Sequence, residues 1–415
     1  MKLQASQTDS FIAMRIAEFR NLMCGRFLFI MALRMLGALV GYWMYELTNN
    51  PLAIGLIGLA EVIPSVSLSL HAGYKIDISE KRNLLLNGVL LYWVAAMALL
   101  FLSTDYSFHH LPKRYIISAI YAIIFCTGIF RSFTGPSFGT LVAAIVPKDI
   151  LQNGISWNQG TWLSASVIGH ALVGFLIAGI GINGALIVIV CLVAIGYYFI
   201  FQLKKHPPVE SKKHDNAWQN ITEGLRFVFK TKEVLGALSL DLFAVLFGGA
   251  VAMIPVFCKD VLNVGAVGFG WLNAATDLGA IICIVTILRF PLKTHQGKKL
   301  LLAVAGFGVC MIVFAISKVF WLSFIALLAS GILDGVSVVV RGTIAQLKTP
   351  NEMRGRVMSV SSMFINSSNE LGQFESGVAA KYMGNVLSVV FGGCVTIGVA
   401  AFTWFKSPTM KNLKY

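Results

Sequence analysis

Eight charged side chains stand at or near the middle of long apolar runs of the sequence. Six of them fall near the middle of a run: Arg34, Glu61, Arg131, Asp277, Asp334 and Glu370. Two more, Asp241 and Glu375, stand one or two helical turns from the middle. Because an ionised group in an apolar setting is costly unless it is paired or hydrated, each is a candidate for function. Each could equally belong to a static ion pair that joins two helices.

Carboxyl groups in such positions can carry protons. A proton carrier needs a carboxyl group whose pKa is raised by burial far enough for it to titrate near neutral pH. The first candidates for this role are Asp241, Asp277, Asp334 and Glu370. The cations Arg34 and Arg131 are expected to pair with carboxylates from the other half of the chain, although Arg34 and Glu61 could simply neutralise each other.

Asp334 lies on a polar stripe of an otherwise apolar segment. Ser330, Asp334, Ser337 and Arg341 follow one another at spacings of four, three and four residues, which puts them on one face of a helix. An ungapped offset of 203 residues aligns Asp334 with Arg131, so we expect these opposite charges to face a shared cavity. The side chains predicted to line that cavity are Trp157, Ser337, Asn366, Asn369 and Gln373. Hydrogen bonding between packed helices is the alternative role for such positions.

The apolar runs that carry these residues predict membrane spans. Hydrophobic residues make up 57% of the 415 positions and charged residues 13%, a composition that excludes an ordinary water-soluble domain. A span needs roughly 20 mostly apolar residues. Twelve such runs are predicted, at about 22–46, 52–72, 84–103, 115–143, 151–178, 183–203, 233–258, 265–288, 300–318, 320–344, 357–380 and 384–405. The predicted fold class is an all-α integral membrane protein with twelve transmembrane helices.

The distribution of positive charge predicts the orientation of these spans. The net charge is +14, but the Lys and Arg residues lie between apolar runs and form no basic soluble domain, which argues against nucleic acid as a partner. Most of the 33 Lys and Arg residues fall in the tails and in every second loop. The positive-inside rule then puts both termini in the cytoplasm.

Two related halves are predicted from a central polar interval. Residues 1–203 hold six spans, 204–232 form a linker, and 233–415 hold the other six. Within the linker, Trp218, Ile221, Leu225 and Phe229 recur at helical spacing, which predicts an amphipathic helix on the cytoplasmic surface. The offset of 203 residues also aligns Gly139, Thr140 and Pro147 with matching residues, as expected of a duplicated unit.

A loop motif resembles a known family. The segment from Gly73 through Asp77 to Lys81 and Arg82 resembles the GxxxDxxxRR signature of the major facilitator superfamily. The segment Thr349–Val357 resembles the subgroup that contains enterobactin exporters and macrolide efflux pumps. The resemblance covers essentially the whole chain and implies two pseudo-symmetric halves, alternating access and export coupled to proton entry. It also implies a cytoplasmic gate formed by Gly73, Asp77, Lys81, Arg82, Glu352, Arg354 and Arg356.

The leading hypothesis is therefore a proton-coupled exporter of a small amphipathic molecule, either a siderophore or a drug. It is expected to be no enzyme, to need no cofactor or metal beyond a proton gradient, and to act as a monomer in the bacterial inner membrane, feeding an outer-membrane export system. One alternative is an importer or metal-ion carrier of the same fold. Another is a sensor or assembly factor that transports nothing.

Overall fold

The structure, a computed structural model, describes residues 10–205, 217–290, 295–350 and 353–411. Several residues within α2, α6 and α11 are described by their backbone alone. The described residues contain helices and no strand. The long helices are α1 (Ala17–Thr48), α2 (Pro51–Ile78), α3 (Lys81–Leu102), α4 (Lys113–Ile145), α5 (Leu151–Phe201), α6 (Ala217–Lys230), α7 (Lys232–Gly248), α8 (Ala266–Arg289), α9 (Gln296–Ile316), α10 (Phe320–Lys348), α11 (Arg354–Met383) and α12 (Asn385–Lys406).

Ten helical stretches among the described residues are long and apolar enough to cross a membrane. One of them, Lys148–Phe201, holds two predicted spans, which meet at Gly181, where φ is 71° and ψ is −179°. A residue with a side chain is strained in that region, and glycine is not. Helix α11 is long enough at 30 residues but is the most polar of the long helices. The chain is therefore the all-α multi-pass membrane protein that the sequence predicts.

Several helix ends differ from the predicted ones. Helix α2 continues to Ile78, so Gly73 does not end it and Asp77 lies in its last turn. Helix α7 ends at Gly248, but short helical turns carry the span on to Val261. The extension of α2 is polar enough to escape a hydropathy pattern, although its backbone hydrogen bonds continue from the apolar part. The span that contains α7 ends close to the predicted run, which reaches 258.

The chain forms two compact units. Unit 1 comprises Met1–Leu39 and Pro64–His214, and unit 2 comprises Val40–Ile63 and Asp215–Tyr415. Unit 2 thus includes the end of α1 and the start of α2 as well as α6 to α12. Sequence order divides the chain at the linker, whereas packing assigns residues 40–63 to the second unit.

Glycines allow the start of α2 to lie directly against α11 within unit 2. A Cβ atom at Gly58 would come 2.6 Å from the carbonyl oxygen of Glu370, and one at Gly377 would come 2.8 Å from the Cα of Gly55. Such contacts between small residues are the usual way in which membrane helices approach closely. This close contact between α2 and α11 fixes the orientation of the α11 face that carries Gln373.

The linker forms an amphipathic helix, α6, as the spacing of its apolar residues predicts. Its Val228 is fully buried in a core that also contains Leu238 of α7 and Val360 of α11. The Glu223 carboxylate forms an ion pair with the Arg356 guanidinium. Helix α6 therefore packs as part of unit 2.

Candidate functional site

A buried ion pair joins α7 and α10. The guanidinium of Arg341 contacts a carboxylate oxygen of Asp241, and each side chain is only 6% exposed. Pairing compensates part of the cost of placing each charge in an apolar interior. The partner of Asp241 is thus a cation of its own unit, on the stripe that also carries Asp334.

A small cavity lies beside this pair, lined by α7, α9 and α10. Its lining residues are Asp241, Ala244, Val245, Ala303, Val304, Phe307, Leu333, Asp334 and Ser337. Its interior has room for about one water molecule. The cavity is largely apolar, and its polar groups are two carboxyl groups and one hydroxyl. It brings together three of the predicted site residues, Asp241, Asp334 and Ser337.

Asp334 occupies the middle of α10, halfway between Phe320 and Lys348. Within the described ranges, no Lys or Arg lies at ion-pair distance from its carboxyl group, whereas Asp241 is neutralised by Arg341. The two carboxyl groups of the cavity therefore have different surroundings. Asp334 is the one that can gain or lose a proton without breaking an ion pair.

Close packing of α8 against α10 sets the rotation of α10. A Cβ atom at Gly331 would collide with the carbonyl oxygen of Thr276, and one at Gly335 would come 2.8 Å from the Cβ of Cys283. These glycines hold one face of α10 against α8. On the neighbouring face, Asp334 and Ser337 then point to this cavity, which lies within unit 2.

Two arginines of α1 have aromatic neighbours within unit 1. The guanidinium carbon of Arg34 lies 4.7 Å from the ring centroid of Trp162 on α5, and that of Arg26 lies 5.0 Å from the ring centroid of Phe138 on α4. Arg131 is half-buried on α4. Because Arg131 and Asp334 belong to different units, their meeting in one cavity stays a prediction.

The other predicted charges lie on helices of unit 2. Glu61 on α2 and Asp277 on α8 are half-buried, and Glu370 on α11 is buried. None of these three lines the cavity beside Asp334. Within the described part of the chain, no three His, Cys, Asp or Glu side chains are grouped as metal ligands would be.

The predicted cavity residues are dispersed. The indole N–H of Trp157 donates to the carbonyl oxygen of Ser10 at 2.9 Å, and its ring lies 5.1 Å from that of Phe11. Trp157 therefore holds the segment before α1 against the first turns of α5. Asn369 is exposed and Gln373 lies against α2, while the side chain of Asn366 lies outside the description.

The predicted gate residues are described only in part. Arg82 donates to the carbonyl oxygen of Phe201 at 2.5 Å and so ties the start of α3 to the end of α5, and Lys81 beside it is buried. Arg356 pairs with Glu223 of the linker helix. Gly73, Asp77 and Arg354 are described by their backbone alone, and Glu352 lies outside the described residues altogether.

A polar network lies at the end of α1 that the sequence pattern does not predict. The Tyr45 hydroxyl donates to the Asp260 carboxylate at 2.5 Å, and the side-chain amide of Asn385 donates to the same oxygen at 3.1 Å. Beside it, Lys259 lies 3.2 Å from the Glu46 carboxylate. A π-helical turn over Phe257–Val261 presents Lys259 and Asp260 in succession. No spacing in the sequence signals that these positions meet.

Residues 22–373 match the Major Facilitator Superfamily. The enterobactin exporter EntS of Escherichia coli O1:K1 / APEC is 24% identical over 353 residues, covering 82% of this chain and 79% of the exporter. EntS of Shigella boydii serotype 18 gives the same identity and coverage.

Solved structures share the fold at low sequence identity. A crystal structure of the nucleoside transporter NupG superposes with a TM-score of 0.73 at 14% identity, covering 95% of this chain and 99% of that one. A D-xylose-proton symporter superposes with a TM-score of 0.73 at 15% identity, covering 96% and 99%. At these identities the likeness concerns the fold alone.

Proposed function

We propose that this chain, which belongs to the Major Facilitator Superfamily, is a proton-coupled exporter of a small amphipathic organic molecule, either a siderophore or a drug. As a member of that family it is a multi-pass membrane transporter and not an enzyme. The direction of transport rests on its similarity to the enterobactin exporters, at 24% identity over most of both chains. The coupling to protons rests on the chemistry of the cavity in unit 2.

The observation that carries the coupling proposal is the contrast between the two carboxyl groups of the cavity. Asp241 is held in an ion pair with Arg341, so its protonation would leave a buried guanidinium without its anion. Asp334 faces the cavity from the middle of α10 without a Lys or Arg at ion-pair distance among the described residues. In the proposed cycle, Asp334 binds the proton and the Asp241–Arg341 pair holds α7 to α10 throughout.

The energy available from one proton is sufficient for useful accumulation. Moving one elementary charge through 100 mV is worth about 2.3 kcal/mol, or roughly a fiftyfold concentration ratio. The proposal requires no cofactor other than this gradient. It places the protein in the bacterial inner membrane as a monomer with both termini in the cytoplasm, following its charge distribution, and has it supply an outer-membrane export system.

Everted membrane vesicles test the coupling directly. Vesicles that contain the protein are energised to an acidic interior, and uptake of a siderophore (enterobactin) and of a macrolide (erythromycin) is followed with and without a protonophore. We expect uptake of one of the two compounds to stop when the protonophore is added. Uptake that continues at the same rate would overturn proton coupling.

A matched pair of variants assigns the effect to the cavity. Asp334→Asn should abolish gradient-driven uptake, because the amide cannot exchange a proton. Asp105→Asn makes the same chemical change at an exposed carboxylate outside the long apolar helices and should transport normally. Equal activity of the two variants would remove Asp334 from the mechanism.

A further inference from the structure

Two polar groups of the small cavity in unit 2 have no partner among the described residues. Ser337 is 4% exposed and faces the cavity, and its hydroxyl forms no hydrogen bond within the described ranges. A buried helical serine usually bonds a carbonyl of the preceding turn, as the Ser330 hydroxyl does by donating to the Leu327 oxygen at 2.6 Å. The carboxyl group of Asp334, one turn from Ser337, likewise has no hydrogen bond or ion pair there. Because buried polar groups normally have a partner, these two point to a ligand.

The charges around the cavity leave one negative charge to be balanced. Asp241 is paired with Arg341, so these two groups together carry no net charge. The ionised side chain of Asp334 adds one negative charge in largely apolar surroundings. An ionised group in such surroundings is costly unless an opposite charge compensates it. One monovalent cation would complete the balance, whereas a divalent cation would leave an excess of positive charge.

The size of the cavity and its ligand atoms suit a small, hard cation. The interior has room for about one water molecule. Its polar side chains offer carboxylate and hydroxyl oxygens, which are the ligands that hard cations prefer. Of the described residues around it, none is a histidine or a cysteine, so a transition metal would lack its usual ligands. Because Na⁺ is smaller than K⁺, a cavity of this size should select Na⁺.

We propose that the cavity lined by Asp241, Asp334 and Ser337 is a binding site for Na⁺. The carboxylate of Asp334 supplies the compensating charge, and the hydroxyl oxygen of Ser337 supplies a second ligand. Asp241 contributes its carboxylate to the same cavity while it remains paired with Arg341. This inference rests on the proposed function, because it makes Na⁺ an alternative ligand of the carboxyl group that is proposed to take the proton.

Equilibrium binding of radioactive Na⁺ to the purified full-length protein in nanodiscs tests the proposal without any ion gradient. Bound radioactivity is displaced with unlabelled NaCl, KCl or choline chloride at equal ionic strength. We expect NaCl to displace the label at a lower concentration than KCl, and choline chloride to leave it bound. Absence of binding that NaCl displaces, or displacement by KCl at the same concentration as by NaCl, would overturn the proposal.

Variants then locate the site. Ser337→Ala removes one oxygen ligand and should weaken Na⁺ binding by about tenfold, and Asp334→Asn removes the charge and should abolish it. Ser330→Ala makes the same chemical change two turns away, at a buried hydroxyl that bonds Leu327, and should bind Na⁺ as the wild type does. Because Ser337→Ala leaves every charge in place, its result decides the matter if Asp334→Asn does not fold. Wild-type affinity in Ser337→Ala, or an equal loss in Ser330→Ala, would refute the assignment.

These outcomes are separable from failure of the proposed function. Binding of Na⁺ is measured without a transported substrate or a proton gradient, so it remains meaningful if the protonophore has no effect on uptake. If proton coupling holds but Na⁺ does not bind, only the assignment of a second ligand to the cavity fails.

Discussion

Neutralising Asp241 alone leaves the guanidinium of Arg341 without its anion at a position where the side chain is 6% exposed. Removing one partner of a buried ion pair typically costs about 3–5 kcal/mol. A folding unit of 150–250 residues loses about 2–4 °C of melting temperature per kcal/mol, so Asp241→Asn should melt roughly 6–20 °C below the wild type. Arg341→Gln should show a loss of the same order, because it leaves a buried carboxylate.

The double variant Asp241→Asn/Arg341→Gln separates this charge effect from a general sensitivity of the site. It leaves no uncompensated charge, so it should recover most of the loss of the single variants, and the double-mutant cycle should give a large coupling energy. Glu223→Gln is the matched control, since its ion pair with Arg356 is partly exposed and should contribute about 0–1 kcal/mol.

The assay is thermal unfolding of the purified protein in one detergent, at one heating rate, followed by intrinsic tryptophan fluorescence. A common heating rate matters because unfolding of membrane proteins is often irreversible. Additive losses in the double variant, or a wild-type melting temperature for Asp241→Asn, would refute the reasoning that the two charges neutralise each other.

Two further predictions concern packing and the polar network at the end of α1. Gly331→Ala should destabilise the protein by about 1–3 kcal/mol, because its new methyl group would collide with the Thr276 carbonyl, whereas Gly342→Ala, with open space around it, should be neutral in the same melting assay. Tyr45→Phe removes a hydrogen bond to the Asp260 carboxylate and should cost about 1.5–3 kcal/mol, and an unchanged melting temperature would show that this bond contributes nothing.

The sequence predicts the spans and the polar stripe because both depend on local periodicity. Asp334 and Ser337 lie three residues apart on α10 and line the same cavity of unit 2, and the amphipathic linker helix forms where its apolar residues recur. The run predicted at about 357–380 corresponds to α11 (Arg354–Met383), although this is the most polar of the long helices.

The contacts of individual charges could not be predicted from spacing. Whether Asp241 meets Arg341 depends on the rotation of α10, which is set by the close approach of Gly331 to α8. The same limit applies to Trp157 and Trp162, which lie five residues apart on α5. The former holds the segment before α1 and the latter stacks with Arg34, and only tertiary packing distinguishes them.

Substrate exchange and active accumulation, compared in proteoliposomes, test the central claim that Asp334 binds the coupling proton. Counterflow moves labelled substrate against unlabelled substrate and needs no net proton movement, whereas accumulation against a gradient does. The account predicts that Asp334→Asn retains counterflow and loses gradient-driven accumulation. Gradient-driven accumulation by Asp334→Asn at the wild-type level would contradict it.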